Sequence, residues 1–179
     1  MDAVEVIRFW FEEVEPRQQW AKDPTFDDEI RRRFTRLHAA AGAGELWAWR
    51  HHALGRLAEI IVLDQFSRNI FRDDVKAFAW DGQALVLAQE AITAGVNYLL
   101  PPERRAFLYM PFMHSESPLI HERAVAYFSE PGLEYHLDFE LRHKAIIDRF
   151  RRYPHRNVVL GRESTPAELE FLAEPGSSF

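Results

Sequence analysis

The chain has 179 residues, 47% hydrophobic and 28% charged, ordinary globular proportions that exclude a disordered or collagen-like chain. It has no cysteine, which excludes disulfides, thiolate nucleophiles, zinc–thiolate sites and iron–sulfur clusters. A formal net charge of -6 argues against nucleic acid as a general partner, because phosphate binding needs clustered positive charge.

Asp2 and Glu5 stand where a secretory signal would be basic, and no apolar run approaches the ~20 residues of a membrane helix. No membrane partner is expected, and the cytoplasm is the expected address. Along the chain the helical period dominates, and strand signals are almost absent. A first helix runs from about Asp2 to Glu13 with Val6, Ile7, Trp10 and Val14 on one stripe, and Pro16 ends it. Asp23-Pro24 is an N-cap followed by proline, opening a helix that Gly42 closes. A short helix covers Leu46 to Arg50, and a long one spans about Leu54 to Phe71. Asp81 caps the next, which ends at Gly95. Pro101-Pro102-Glu103 opens another, with an interruption expected near Pro111. Ser117-Pro118 starts one that ends at Pro131-Gly132, and the helix from Leu133 to Arg152 stops before Pro154. Thr165-Pro166 begins the last, with Glu168 completing a capping box. About nine helices with short connections predict antiparallel hairpins in one all-helical domain, residues 1–179. No clean internal repeat is present.

The informative positions are charges on apolar stripes. On the long helix Leu57, Ile60, Ile61 and Phe71 share a face, and Asp64 and Arg68 fall in its middle. Buried charges require partners, and these two are four residues apart. One reading is an internal salt bridge. The other is a pocket floor containing Asp64, Gln65, Arg68 and Asn69. On the helix from Leu133, His136 and His143 share the stripe of Phe139, Ile146 and Phe150. Glu140-Leu-Arg-His143 has the Glu-x-x-His spacing of di-iron bundles, but no second copy accompanies it, so neither a metal nor a cofactor is assigned. Residues 142–156 carry six Lys or Arg against Asp148 alone, which reads as a solvated face or an anion-binding wall.

His114-Ser115-Glu116 after the expected break is no triad, since adjacent side chains diverge. No Walker loop, nucleophile elbow, dinucleotide fingerprint or zincin motif is present. The polar loop Tyr153-Pro154-His155-Arg156-Asn157, followed by Leu160-Gly161-Arg162, supplies guanidinium forks that suit carboxylate or phosphate.

Residues 63–72, the tripeptide at 114–116, residues 153–157 with 160–162, Trp20-Ala21-Lys22-Asp23-Pro24 and Phe9-Trp10-Phe11 together resemble a bacterial family of uncharacterised proteins, domain of unknown function 924. The resemblance covers nearly the whole chain and implies a TPR-like stack of antiparallel helices. The chain departs from that family in having Ser67 where proline is usual and Arg151 where glycine is usual.

Three functions are compatible with these residues. A binding protein would gather Asp64, Gln65, Arg68, Asn69, His114, Ser115, Glu116, His143, His155, Arg156, Asn157 and Arg162 around a small anion or an acidic peptide end. A TPR-like scaffold for a protein partner would use the same residues as internal struts. A hydrolase or lyase would use His114 or His155 as acid/base, with Arg68 or Arg156 holding an anion. Binding is favoured slightly over scaffold, and enzyme comes third.

Overall fold

The structure is a computed structural model describing residues 2–178, and it is all-helical, with no strand among those residues. Among the described residues eight helices are present where about nine are expected. They are α1 (residues 3–13), α2 (Pro24–Gly42), α3 (residues 53–70), α4 (Asp81–Thr93), α5 (Pro102–Met113), α6 (Pro118–Phe128), α7 (Glu134–Phe150) and α8 (Pro166–Leu172). Short 3₁₀ turns at Pro16–Trp20, Trp47–His51, Val75–Phe78, Val96–Leu99 and Pro154–Arg156 join several of them. The expected Leu46–Arg50 helix is thus a 3₁₀ turn. None of the described helices is long and apolar enough to cross a membrane.

Caps explain most of the boundaries. Asp2 and Glu5 form a reciprocal capping box at the start of α1. Asp23 accepts from the backbone N–H groups of Thr25 and Phe26, and Pro24 occupies the first helical position of α2. Thr165 and Glu168 cap α8 in the expected manner.

Two expectations are corrected. Asp81 is the first residue of α4 rather than its cap. Trp80 holds the cap position, and the Asp81 carboxylate is turned onto Arg68 instead. α5 runs through Pro111 to Met113 without a break. Proline disturbs the turn before it, and here that turn is buried at Phe107, Leu108, Tyr109 and Met110, so packing holds it helical.

The chain divides into two compact units, Met1–Pro111 and Phe112–Phe179. In the first, α2 and α3 are antiparallel. Asp27 meets Arg72, Arg31 meets Ile70, and Phe34 meets Phe66, so positions rise on one helix as they fall on the other. The core between α1, α2 and α3 is aromatic, with Phe9 packed on Phe26, Phe34 and Phe66, and Trp10 edge-on to Phe66 and Phe107. Large rings fill this interior with few side chains. In the second unit α6 and α7 form an antiparallel hairpin. Phe128 stacks on His136 near its closed end, and His121 meets Glu140 towards the other.

Two of the three helices that carry the aromatic core contain a π-helical stretch, Phe9–Glu13 in α1 and Val62–Phe66 in α3. In α3 this stretch sits at the centre of the helix and contains Asp64 and Gln65. Such insertions shift the face presented by the following residues and often accompany functional positions.

Candidate functional site

In the first unit, the residues singled out on α3 are bonded to one another and to neighbouring elements. Asp64 is 1% exposed. Gln65 Nε2 donates to Asp64 Oδ2 at 2.6 Å, and Arg68 Nη1 donates to the Asp64 carbonyl at 2.7 Å. The Asp64 carboxylate also lies 3.3 Å from Arg68 Nη1, the expected pair. The guanidinium fork, however, is directed at Asp81, at 3.0 and 3.1 Å. Asn69 belongs to a second network. Its Nδ2 donates to Asp27 Oδ1 at 2.8 Å, and Arg72 grips the same buried carboxylate through Nε and Nη2. Ser67 adds a third link. Its hydroxyl donates to the Leu63 carbonyl, so its oxygen accepts from His38 Nε2 at 2.7 Å. Burial holds His38 down at about 4, so it is a neutral strut between α2 and α3.

In the second unit the remaining candidates come together around Tyr153. α7 ends at Arg151, whose left-handed backbone, φ 61°, turns the chain sharply and places Tyr153 back in the interior. The Tyr153 side chain is fully buried, and its hydroxyl donates to the Met113 carbonyl. Around its ring lie the imidazoles of His121, His143 and His155, with centroid separations of 6.3, 5.8 and 5.5 Å. The Arg156 guanidinium lies over the ring at 4.6 Å, within cation–π range, and its Nη2 donates to the His114 carbonyl at 3.0 Å. His114, Ser115 and Glu116 line the turn between α5 and α6, and all three are half-buried.

Glu116 is the organising anion. Arg162 forks onto it at 2.7 and 2.9 Å, and the Tyr153 N–H donates to it at 2.8 Å. Although burial opposes ionisation, the Arg162 and Tyr153 hydrogen bonds and the charges of Arg156 and Arg162 hold its carboxyl below the usual range. Arg162 also donates to the Asn157 side-chain oxygen at 3.0 Å, and Asn157 donates to the Ser164 hydroxyl at 3.0 Å. The polar loop is thereby tied to the 114–116 turn.

Two histidines are fixed by backbone carbonyls. His143 Nδ1 donates to the Phe139 carbonyl at 2.7 Å. Burial, and then the nearby imidazoles of His114, His121 and His155, hold His143 down at about 3 against that hydrogen bond. His121 Nε2 donates to the Ser115 carbonyl at 2.8 Å, and its Nδ1 lies 2.7 Å from Glu140 Oε1. Burial raises the Glu140 carboxyl, and its Oε2 has no hydrogen-bond partner.

Eight of the twelve candidates, His114, Ser115, Glu116, His143, His155, Arg156, Asn157 and Arg162, are in this unit, and Asp64, Gln65, Arg68 and Asn69 are in the first. Tyr153, His121 and Glu140 were not among the candidates. Glu140 entered the sequence reading only through its Glu-x-x-His spacing, on which no metal was assigned, and here it meets His121 on the facing helix. No group of three or more metal-type ligands occurs among the described residues. Three of the six basic residues at 142–156 form ion pairs: Arg142 with Asp138, Lys144 with Asp148 and Arg152 with Glu168.

The chain belongs to the family described as bacterial protein of unknown function (DUF924), whose profile matches residues 6–176. It is similar to the solved structure of a protein of unknown function, ATU0120, from Agrobacterium tumefaciens. The two are 37% identical, 96% of each chain is covered, and the TM-score is 0.90. No curated protein matches it.

Proposed function

We propose that this member of the family is a binding protein, and that its site is the ring of cation-forming groups around Tyr153, taking a small anion or the acidic end of a peptide. The observation that carries this reading is the convergence of His114, His143, His155, Arg156 and Arg162 on one place in a chain whose net charge is -6. Glu116 stands among them with two guanidiniums acting on it. Guanidinium and imidazole N–H groups suit carboxylate and phosphate oxygens. Half-buried His114 and His155 are the groups through which a ligand reaches the cluster.

A second reading has its own support in the first unit. There Asp64, Arg68 and Asn69 are bonded to Asp81 and Asp27, which suits internal struts of a helical scaffold. The hydrolase or lyase reading would rest on His114 or His155 alone, because His121 and His143 are committed to backbone carbonyls and fixed rings of that kind make poor proton shuttles.

The test is a thermal-shift series with inorganic phosphate, sulfate, acetate and a peptide ending in two glutamates, on the parent chain and on His155→Ala. A ligand at a hundred times its dissociation constant adds about 2.7 kcal/mol of stability. A shift that disappears in a folded His155→Ala supports the site. Equal shifts in both proteins, or none with any anion, reject it.

A further inference from the structure

The Arg162 guanidinium is held by its own loop. Its Nε donates to the Asn157 side-chain oxygen at 3.0 Å and its Nη2 to the Tyr153 carbonyl at 3.1 Å, while the Arg162 N–H donates to the Asn157 carbonyl at 2.8 Å. Asn157 is fully buried and is itself bonded to Ser164, so residues 153–164 fix the direction of the arginine among themselves. The fork and the Tyr153 N–H end on one carboxylate, that of Glu116, at 2.7, 2.9 and 2.8 Å. Of these groups only Glu116 comes from outside the loop, 46 residues from Arg162 and 37 from Tyr153 in sequence. A guanidinium fork beside a backbone N–H is a carboxylate receptor, and here its occupant is the chain's own side chain. Burial opposes ionisation of that occupant, yet the Arg162 and Tyr153 hydrogen bonds keep its carboxyl below the usual range, so the receptor holds a full negative charge at neutral pH.

Exposure separates this fork from those of a structural kind. Arg72, Arg50 and Arg152 hold Asp27, Glu59 and Glu168, whose side chains are 5%, 1% and 3% exposed. Asp81 on Arg68 is 19% exposed. Glu116 is 27% exposed and Arg162 24%, so both partners touch solvent and the bridge is open to exchange.

We infer that the Arg162 fork and the Tyr153 N–H are the carboxylate seat of the binding site, and that Glu116 occupies it as an internal ligand until the carboxylate of an acidic peptide end takes its place. The exchange swaps one carboxylate for another on the same donors, so the fork is never left without a counter-charge. A partly exposed bridge is worth only about 1 kcal/mol, so Glu116 lowers the affinity for an incoming carboxylate by roughly fivefold and does not block it. The same exchange makes Glu116 the residue that sets how strongly a ligand must bind. A single carboxylate competes on equal terms with the tethered one, whereas a peptide end with a second acid also meets the charge of Arg156, which already acts on Glu116.

This inference rests on the anion-binding reading, so the experiment separates the two. Sodium acetate and a peptide ending in two glutamates are titrated into the parent chain, Glu116→Ala, Glu116→Gln and the double variant Glu116→Ala with Arg162→Lys. Sodium chloride at matched ionic strength is the blank. The expected result is that both single variants bind acetate and the peptide roughly fivefold more tightly than the parent. The double variant keeps the positive charge, loses the fork and loses the gain. If Glu116→Ala unfolds, acetate is expected to restore its folding, and Glu116→Gln, which fills the same volume, carries the affinity comparison. Parent-like affinity in the single variants, an undiminished gain in the double variant, or single variants that neither fold nor are restored by acetate make Glu116 a structural tie and overturn the internal ligand. Peptide binding by the parent that depends on His155 then leaves the anion site standing. No response beyond the chloride blank in any of the four proteins overturns both.

Discussion

His121 Nδ1 lies 2.7 Å from Glu140 Oε1, and both side chains are fully buried between α6 and α7. The other imidazole nitrogen donates to the Ser115 carbonyl, so Nδ1 is left to accept if the ring is neutral. Burial raises the Glu140 carboxyl, which favours a protonated acid donating to Nδ1. Glutamine reproduces that donor. Glu140→Gln is therefore expected to fold with stability close to the parent at pH values where the acid is protonated, whereas Glu140→Ala loses about 1–3 kcal/mol by leaving the buried His121 Nδ1 without a donor. The sign with pH is opposite to that of a salt-bridged acid. A folded-state value raised above 4.5 means that the folded chain holds a proton the unfolded chain releases, so this group costs stability as pH rises from 4.5 towards its raised value. Urea denaturation of parent and Glu140→Gln across that range checks it. An identical pH dependence in the two proteins rejects the protonated acid.

His38 and Ser67 give a pH dependence of the other direction. His38 is held at about 4 by burial, below its ordinary 6.5. The unfolded chain thus binds a proton in that interval that the folded chain refuses. Its stability contribution is complete above 6.5 and is lost as pH falls towards about 4. His143, at about 3, acts in the same direction over a wider interval. His38→Gln is expected to show a shallower loss of stability between pH 6.5 and 4 than the parent. Ser67→Ala removes the acceptor of the His38 N–H and leaves it buried, at a cost of about 1–3 kcal/mol. Chemical denaturation at fixed pH steps measures both, and a His38→Gln curve parallel to the parent's refutes the assignment.

Much of the fold was legible because proline, glycine and capping residues punctuate a clear helical period. Asp23-Pro24 and Thr165-x-x-Glu168 satisfy backbone N–H groups locally, so four residues suffice to read them. The π-helical stretch at Val62–Phe66 left no trace, since one inserted residue barely alters an apolar pattern that surrounds the whole helix. Asp64 and Arg68 were read as a pair because they are one turn apart. The stronger fork to Asp81 was not visible, because it depends on where α4 begins relative to α3. Likewise Glu140 and His143 shared a motif in sequence, but Glu140 faces His121 across the hairpin, a relationship set by the packing of α6 on α7. Tyr153 was passed over as part of a polar loop. The left-handed turn at Arg151 is what buries it.

That turn supplies the third prediction. Arg151 is exposed, and its side chain makes no hydrogen bond or ion pair with the described residues, yet its backbone adopts φ 61°. A residue with a Cβ resists this region by roughly 1–2 kcal/mol, and glycine does not. Arg151→Gly is expected to raise stability by about 1 kcal/mol, part of the relief being lost to the greater freedom of glycine in the unfolded chain. Denaturant midpoints of the two proteins decide it. A destabilised Arg151→Gly would assign the arginine side chain a role that outweighs its backbone strain.

The last prediction contrasts two helical glycines. A Cβ built on Gly55 in α3 falls 2.0 Å from the Trp49 carbonyl oxygen and 2.8 Å from its carbon. That neighbour is backbone in the Trp47–His51 turn, which cannot swing aside as a side chain would. The same turn holds Arg50 on the buried Glu59 carboxylate through two bonds of 2.7 Å. Displacing the turn therefore also strains that fork, which leaves a buried charge short of its partner. Gly55→Ala is expected to cost about 3 kcal/mol or more, overpacking and fork together. Gly82 in α4 meets nothing within 4 Å, and it is exposed. Gly82→Ala adds helix propensity without a clash and is expected to stabilise by about 0.4–1 kcal/mol. Melting temperatures and denaturant midpoints of the two alanine variants should move in opposite directions. If Gly55→Ala behaves like Gly82→Ala, the close approach of α3 to the Trp49 carbonyl is wrong. The Arg50–Glu59 fork would then have to be held by something other than that contact.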